Sequence, residues 1–426
     1  MSCQPIQRRI LAALLICAIG LAVEGAAFSG ELDADASEQT QADIERAQQL
    51  HDSGNRYWIL KTVGSIALLT FWIGSGLSAR LRDSLLRRTG QGLRVVIIYW
   101  LLFVGLCSFF WLVYAFFAGH LRLHAFGLSK QSFGRWLSQA GKEIALLAVV
   151  GASVIWIPYW LHRKYRRTWW LLTGIGLAAL VVITTLVTPI WIDPLFFDFV
   201  QLEDRELEEK LLRIAARCGI EADRIYQINV SADSRAVNAY VNGIFGTARI
   251  VIWDTTLRGL RHDQIEFIMA HEMGHYVLGH VYTAVMWACL AAVVATGLAV
   301  AICSQIIKKL GKRLKIRGTD DVAAMPLFML IALLMWLVST PITLMVSRHT
   351  EHEADVFGLE VTQDNAVAES TFLRMRKINL SVARHGWFYK LFRSTHPSSG
   401  ERLAFVRSYR PWEKDQPLRF GKYIDP

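Results

Sequence analysis

Residues 271–275 read His-Glu-Met-Gly-His and lie just before a long apolar run at 281–303. In an α-helix, side chains four positions apart lie one turn apart on the same face. His271 and His275 can therefore reach one metal ion together, while Glu272 flanks the same position. The stretch predicts a zinc site with a carboxylate base beside it. A polar helix with two incidental histidines is the alternative, because the motif fixes so few positions.

The rest of the chain is dominated by apolar runs. Hydrophobic residues make up 53% of the 426 residues. A soluble protein would spread them at the periods of strands and helices, whereas here they form runs of the roughly 18 nearly uncharged residues that cross a bilayer. These runs are residues 58–79, 95–119, 144–161, 169–192, 281–303 and 325–346. We therefore expect a multi-span α-helical membrane protein of six or seven spans.

The N-terminus offers a further apolar stretch at residues 10–23. Two arginines precede it and small residues follow it, which is the layout of a signal peptide and equally of an uncleaved first span. Residues 1–27 are therefore either a signal peptide or the first transmembrane span. Residues 28–57 are polar and rich in acids, and we expect a loop of weak order there.

The remaining chain divides into four parts. They are a four-span membrane domain at 58–192, a soluble α+β module at 193–280, two spans with a basic loop at 281–346, and the C-terminal part of the module at 347–426. The module is assigned as α+β because a helical pattern precedes several strand patterns. The helical pattern is at 203–217 and the strand patterns are at 224–230, 236–241 and 249–253.

Basic residues concentrate beside the apolar runs, in loops at 80–94, 163–167 and 308–317. If all six runs cross the membrane, these loops lie on one side, and the positive-inside rule puts that side in the cytoplasm. The net charge of +10 then reflects membrane topology and not nucleic-acid binding. The metal-binding segments face the extracytoplasmic side, although the loop at 120–143 on that side is mildly basic too.

Other function classes have little support. Four of the six cysteines lie in apolar segments and no C-x-x-C occurs, so a disulfide framework is not expected. The sequence carries no glycine-rich phosphate loop. We expect neither a nucleotide nor a nucleic acid as a partner.

A third zinc ligand must come from elsewhere in the chain, and the segment 347–360 is the richest supply. On a helix Glu351 and Asp355 share a face, whereas His352 is turned by ~100° and Glu353 by ~200° from Glu351. If Glu351 coordinates the metal, Asp355 is placed to accept the free ring N–H of a ligating histidine. The alternative is a solvated, charged helix face.

Taken together, these residues resemble the type I CAAX prenyl protease family, integral-membrane zinc metallopeptidases of the gluzincin group, and in particular a prokaryotic relative. The resemblance runs from about residue 189 to 402 in family order. It is carried by the segment 189–199, Asn238-Ala239-Tyr240, the helix 271–276 with His280 downstream, Ser347-Arg348 followed by Glu351 and Asp355, and His396-Pro397 with Glu401-Arg402.

The resemblance implies a gluzincin-type protease module with one Zn²⁺ per chain. It makes His271, His275 and Glu351 the zinc ligands, Glu272 the general base and Asp355 the partner of a ligating histidine. It also assigns His396 and Arg402 to stabilising the oxyanion that forms during peptide hydrolysis. The alternatives for these last two are a surface histidine and an arginine on a basic face.

The strand that contains Asn238, Ala239 and Tyr240 is the candidate substrate-binding element. An extended peptide can add to a free strand edge through main-chain hydrogen bonds, so the partner is a peptide or protein bound as an extended strand. An ordinary core strand is the alternative. The other histidines near the motif, His280, His349 and His352, lack the helical phase of the ligands and are not expected to bind the metal.

The favoured function is that of a zinc metalloendopeptidase embedded in the lipid bilayer. We expect that bilayer to be a bacterial inner membrane. Two substrate classes stay open: CAAX-type C-terminal processing, and cleavage of membrane or misfolded proteins. A transporter or channel is the alternative from another class, although the spans are nearly free of ionisable groups. A catalytically inactive scaffold is a further alternative, which the intact Glu272 disfavours.

Overall fold

The structure is a computed structural model that describes residues 40–90, 92–221, 224–242 and 249–425. The predicted signal peptide or first span at 1–27 lies outside these residues. A helical membrane part and a smaller α+β module make up the described chain.

The first half of the chain contributes most helices of the membrane part. They are α1 (Gln41–Gly74), α2 (Leu77–Thr89), α3 (Leu93–Ala115), α4 (Arg122–Ala125), α5 (Phe133–Val154), α6 (Trp156–Lys164) and α7 (Trp169–Val187). Two short π-helices at Phe116–Leu121 and Thr188–Ile192 and a 3-10 turn at Asp193–Leu195 continue α3 and α7.

The second half combines two long apolar helices with shorter amphipathic ones. The helices are α8 (Arg205–Arg217), α9 (Asp254–Gly259), α10 (His262–Val277), α11 (His280–Leu314), α12 (Met325–Thr362), α13 (Asn365–Ile378), α14 (Trp387–Phe392) and α15 (Ser399–Ser408). Short 3-10 turns lie at Val322–Ala324, Pro411–Lys414 and Gly421–Tyr423.

Six helical segments of the described chain are long and apolar enough to cross a membrane. They are Gln41–Gly74, Leu93–Ala125, Phe133–Lys164, Trp169–Leu195, His280–Leu314 and Val322–Thr362. Large apolar side chains such as Phe109, Val149 and Val338 are more than half exposed on them, which suits a surface in contact with lipid. The predicted multi-span helical fold is confirmed.

Helix α1 begins earlier than the sequence predicts. The expectation of a weakly ordered loop at 28–57 is wrong from Gln41 onward, because Thr40 and Asp43 form a capping box that starts the helix there. The polar first turns are held by tertiary contacts that a composition argument cannot see. His51 packs on Tyr389 of α14 at a ring-centroid distance of 4.4 Å.

The three predicted basic loops meet at one end of the helices. Arg82 donates from Nη1 to the carbonyl oxygen of Lys315 at 2.9 Å and pairs with the buried carboxylate of Asp321. His162, beside the second basic loop, lies 3.3 Å from Thr319. These contacts support the predicted placement of all three loops on the same side of the membrane.

Two long helices connect this basic end to the module. Helix α11 has 35 residues and α12 has 38, so each is roughly 50–57 Å long at 1.5 Å per residue. The motif at 271–275 precedes α11, and α12 carries Glu351 near its C-terminal end. The metal-binding segments therefore lie at the opposite end of these helices from the basic loops. The predicted boundary between residues 346 and 347 falls inside α12, which is unbroken despite Pro341.

The module contains one four-stranded mixed sheet in the order β1-β2-β4-β3. The strands are β1 (Phe199–Gln201), β2 (Ile225–Ile228), β3 (Ala239–Asn242) and β4 (Arg249–Trp253). Strand β4 runs parallel to β2 and antiparallel to β3, which makes β3 an edge strand within the described chain. The sequence predicts all of these except β1, because three residues are too few to show an alternating pattern.

The core of the module lies between the sheet and helices α8 and α10. Asp204 caps α8 by accepting from the backbone N–H of Leu207, and the leucines of α8 face inward. Leu211, Ile250, Ile265 and Met269 are fully buried in this core. Burying each such side chain contributes about 1.5–3 kcal/mol, which holds α10 against the sheet.

Candidate active site

Helices α10 and α12 cross at two glycines. A Cβ at Gly358 would lie 3.1 Å from the backbone nitrogen of His271, and a Cβ at Gly274 would lie 3.0 Å from Cβ of Phe357. Only glycine permits so close an approach without displacement. The crossing brings the histidine face of α10 onto the face of α12 that carries Glu351.

His271, His275 and Glu351 converge at this crossing. The Nε2 atom of His271 lies 3.4 Å from Oε2 of Glu351, and Nε2 of His275 lies 3.4 Å from Oε1 of the same carboxylate. Ligand atoms of the three residues lie within 4.8 Å of one another, and no other group of this kind occurs in the part of the chain that the structure describes. The three predicted ligands are therefore brought together.

This donor set fits zinc. Two imidazole nitrogens and a carboxylate oxygen are the ligands of catalytic zinc sites, and two donors at ~2.1 Å in a tetrahedral site lie ~3.4 Å apart. That separation equals the two histidine-to-carboxylate distances observed here. In addition, Oε2 of Glu351 is buried and accepts no hydrogen bond. A bound cation would give this buried carboxylate oxygen the partner that no hydrogen-bond donor provides.

Asp355 lies behind His271, where the sequence predicts it. Its Oδ1 is 2.9 Å from Nδ1 of His271, and the residue is 1% exposed. This contact fixes the tautomer that leaves Nε2 of His271 free to face Glu351. Burial lowers the pKa of His271, but the carboxylates of Asp355 and Glu351 outweigh this effect and raise the pKa to about 10. The two carboxylates thus favour positive charge at this ring.

Arg402 lies on the far side of Asp355. Its Nε donates to Oδ2 of Asp355 at 2.9 Å, and its Nη2 contacts Oδ1. The guanidinium also stacks over the ring of Phe372, with its carbon 4.1 Å from the ring centroid. This arginine therefore holds the carboxylate that orients His271.

Glu272 follows the first ligand on α10. Burial raises the pKa of its carboxyl group, against the opposing effect of the nearby imidazoles of His271 and His275. A carboxylate with a raised pKa is a better proton acceptor near neutral pH than an exposed one. Its environment is therefore the one that a general base requires.

His396 borders the same cluster from the C-terminal part of the module. Its Nε2 lies 3.3 Å from Oε2 of Glu351, and its side chain is 55% exposed. Its Nδ1 lies 2.7 Å from the hydroxyl of Thr395, which orients the ring. His396 thus sits on the open side of the site, where a substrate would approach.

The predicted substrate strand lies at the edge of the sheet. Ala239 and Tyr240 belong to β3 and pair with Ile252 and Val251 of β4. Asn238 lies just before the strand, and its backbone N–H donates to the hydroxyl of Thr256 at 2.8 Å. Because β3 pairs on one side only among the described residues, its other side is a strand edge, and the strand is in contact with α10.

The contacts around His275, the second predicted ligand, were not predicted from the sequence. Nδ1 of His275 lies 2.9 Å from Nδ1 of His280, whose Nε2 lies 3.4 Å from Oε2 of Glu353. Helical phase places His280 away from His275, but the helix ends before Gly279, whose φ of 70° turns the chain back. The glycine after the motif is the signal that could have indicated this turn.

This fold and this site are those expected of a membrane-embedded zinc metalloprotease. The family model described as peptidase family M48 matches residues 201–410, and the one described as CAAX prenyl protease N-terminal, five membrane helices, matches residues 33–198. The chain belongs to the CAAX prenyl protease group of peptidase family M48.

Curated relatives agree with this assignment. The chain is 33% identical over 278 residues to the uncharacterized metalloprotease YhfN of Bacillus subtilis, covering 65% of each chain. It is 24% identical over 295 residues to CAAX prenyl protease 1 of Saccharomyces cerevisiae, covering 66% of this chain and 64% of the relative. These matches span just under two thirds of the relatives' own length.

Among solved structures, the crystal structure of S. mikatae Ste24p has the same fold. It superposes with a TM-score of 0.83 over 94% of this chain and 97% of the other, at 18% sequence identity. At that identity the likeness shows the fold alone.

Proposed function

We propose that this protein is an active zinc endopeptidase whose catalytic residues are those gathered where α10 crosses α12. The observation that carries the proposal is the convergence of His271, His275 and both carboxylate oxygens of Glu351, with the half-buried Glu272 next to His271 on α10. The three residues would hold a zinc ion, which would supply Lewis-acid chemistry toward the scissile carbonyl and a water molecule.

Glu272 acts as the general base. It accepts a proton from the attacking water as the water oxygen bonds to the peptide carbonyl carbon, and it then delivers that proton to the leaving amine as the C–N bond breaks. Asp355 holds the tautomer and orientation of His271 throughout.

His396 and Arg402 have different roles in this proposal. His396 donates a hydrogen bond to the developing oxyanion, which its exposed position beside Glu351 supports. We assign Arg402 a positioning role through Asp355, because its Nε and Nη2 both contact that carboxylate. The oxyanion role that the family resemblance implies for Arg402 as well stays a prediction.

The substrate is a peptide or protein, and we propose that it binds as an extended strand along β3. An edge strand offers unpaired main-chain donors and acceptors, so binding depends little on side-chain sequence. Asn238, Ala239 and Tyr240 would line this edge and present one carbonyl to the site.

We further propose that the active site faces the extracytoplasmic side of a bacterial inner membrane. The contacts among the basic loops, at the far ends of α11 and α12, support this orientation. It favours membrane or misfolded proteins over cytosolic prenylated proteins as substrates. Neither a nucleotide nor a nucleic acid is needed as a partner.

The experiment uses the purified full-length protein in detergent, with and without a zinc chelator. It is offered a farnesylated CAAX peptide and an unfolded membrane protein. We expect chelator-sensitive cleavage of the unfolded protein. Cleavage that a chelator leaves unchanged would contradict the zinc mechanism, and cleavage of the farnesylated peptide alone would contradict the proposed substrate class.

A further inference from the structure

We propose that His280, Glu353 and Arg419 form a relay that sets the tautomer and orientation of His275, the second zinc ligand. This inference rests on the proposed zinc site and assigns a function to three residues outside it. His280 is almost buried, with 11% of its side chain exposed, and stands between His275 and Glu353. The relay is defined by these contacts from His275 outward.

The contact between the two imidazoles has only one consistent proton arrangement. Their Nδ1 atoms are 2.9 Å apart, so one must donate and the other must accept. Nε2 of His275 faces Glu351 and must be unprotonated to bind zinc, which puts the proton of the neutral ring on Nδ1. His280 is therefore the acceptor at Nδ1 and carries its own proton on Nε2.

Glu353 completes this arrangement. The Nε2 atom of His280 is buried and makes no short hydrogen bond, and the carboxylate oxygen Oε2 of Glu353 lies 3.4 Å from it. A carboxylate there stabilises the His280 tautomer that accepts from His275. The helical phase turns Glu353 away from Glu351, and that direction is the one that faces His280.

Arg419 anchors the carboxylate from the other side. Its Nη2 lies 2.7 Å from Oε1 of Glu353, and its backbone N–H donates to Glu360 of α12 at 2.6 Å. Arg419 lies beyond residue 410, where the match to the peptidase family model ends. The C-terminal segment of the chain thus reaches the surroundings of the zinc site.

The two histidine ligands are supported in parallel ways. His271 contacts Asp355, and Asp355 contacts Arg402. His275 contacts the imidazole of His280, which lies between it and the pair formed by Glu353 and Arg419. In each case a carboxylate held by an arginine fixes the ring nitrogen that points away from the metal.

The test measures the zinc dissociation constant of full-length variants in detergent by competition with a chelator. His280→Leu should weaken zinc binding about 10–100-fold, the usual cost of losing a partner that orients a ligand. His280→Gln should recover most of that loss, because its amide oxygen can accept from His275 while its NH₂ donates to Glu353. Arg419→Ala, at a half-exposed pair, should cost at most about 5-fold.

His349 provides the matched control. It lies 3.8 Å from Glu353 on the exposed face, with 66% of its side chain exposed, so His349→Ala should leave zinc affinity unchanged. Wild-type affinity in His280→Leu, or a Gln variant no better than the Leu variant, would overturn the relay. If His280→Leu does not fold, wild-type zinc affinity in Glu353→Leu, which removes the acceptor for Nε2 of His280, would overturn the relay.

Peptide cleavage is measured separately on the same preparations. A wild-type protein that binds zinc but cleaves nothing would refute the proposed function and leave the relay standing. If the wild type cleaves and the relay variants bind zinc as tightly as it does, the relay is refuted and the proposed function stands.

Discussion

Asp355→Asn replaces a carboxylate with two acceptor oxygens by an amide with only one. Oδ1 of Asp355 accepts from Nδ1 of His271 and from Arg402, while Oδ2 accepts from Nε of Arg402. An amide has one acceptor oxygen and one NH₂ donor. Whichever way it turns, the NH₂ faces a donor of either His271 or Arg402.

The expected magnitudes follow from burial. The side chains of Asp355 and Arg402 are only 2% and 14% exposed. Breaking such a pair from one side costs about 3–5 kcal/mol of stability, because the remaining charge is buried without its partner. Misorienting His271 should also weaken zinc binding by about 10–100-fold.

The assay combines denaturant unfolding of zinc-free protein with chelator competition for zinc. The matched double variant is Asp355→Asn with Arg402→Met, which removes the stranded charge. We expect the double variant to be more stable than Asp355→Asn alone, while its zinc affinity stays low. Strictly additive stability losses and an unchanged zinc affinity in Asp355→Asn would refute the reasoning.

Three further outcomes test other parts of the structure. Glu351→Gln should bind zinc far more weakly than wild type, which metal analysis after dialysis measures; full zinc content would mean that the third ligand lies elsewhere. Gly358→Ala should cost about 1–3 kcal/mol in denaturant unfolding, because its Cβ meets the backbone of α10, whereas Gly64→Ala, with open space around it, should not destabilise; equal effects would contradict the close crossing. On a background without reactive cysteines, Ser408→Cys should react with an impermeant thiol reagent on intact cells and Lys309→Cys should not; the reverse would put the active site in the cytoplasm.

The sequence predicts the parts of the site that depend on local geometry. His271 and His275 are one helical turn apart, and so are Glu351 and Asp355, so each pair shares a face wherever its helix lies. The apolar runs predict the spans for the same reason, since length and lack of charge are local properties.

Contacts between helices that are distant in sequence could not be predicted from local geometry. The contact between Arg402 and Asp355 depends on how α15 packs against α12. The contact between His280 and His275 depends on the turn at Gly279. The early start of α1 is similar, because its polar turns are stabilised by packing on α14. At these positions tertiary packing, and not local composition, determines the structure.

The most direct test of the account is Glu272→Gln, measured for both zinc content and peptide cleavage. The three ligands are unchanged in this variant, so zinc should stay bound with near wild-type stoichiometry. Loss of the general base should lower the cleavage rate by about 10²–10⁴-fold. A variant that retains zinc and more than about a tenth of the wild-type rate would contradict the assignment of Glu272 as the catalytic base.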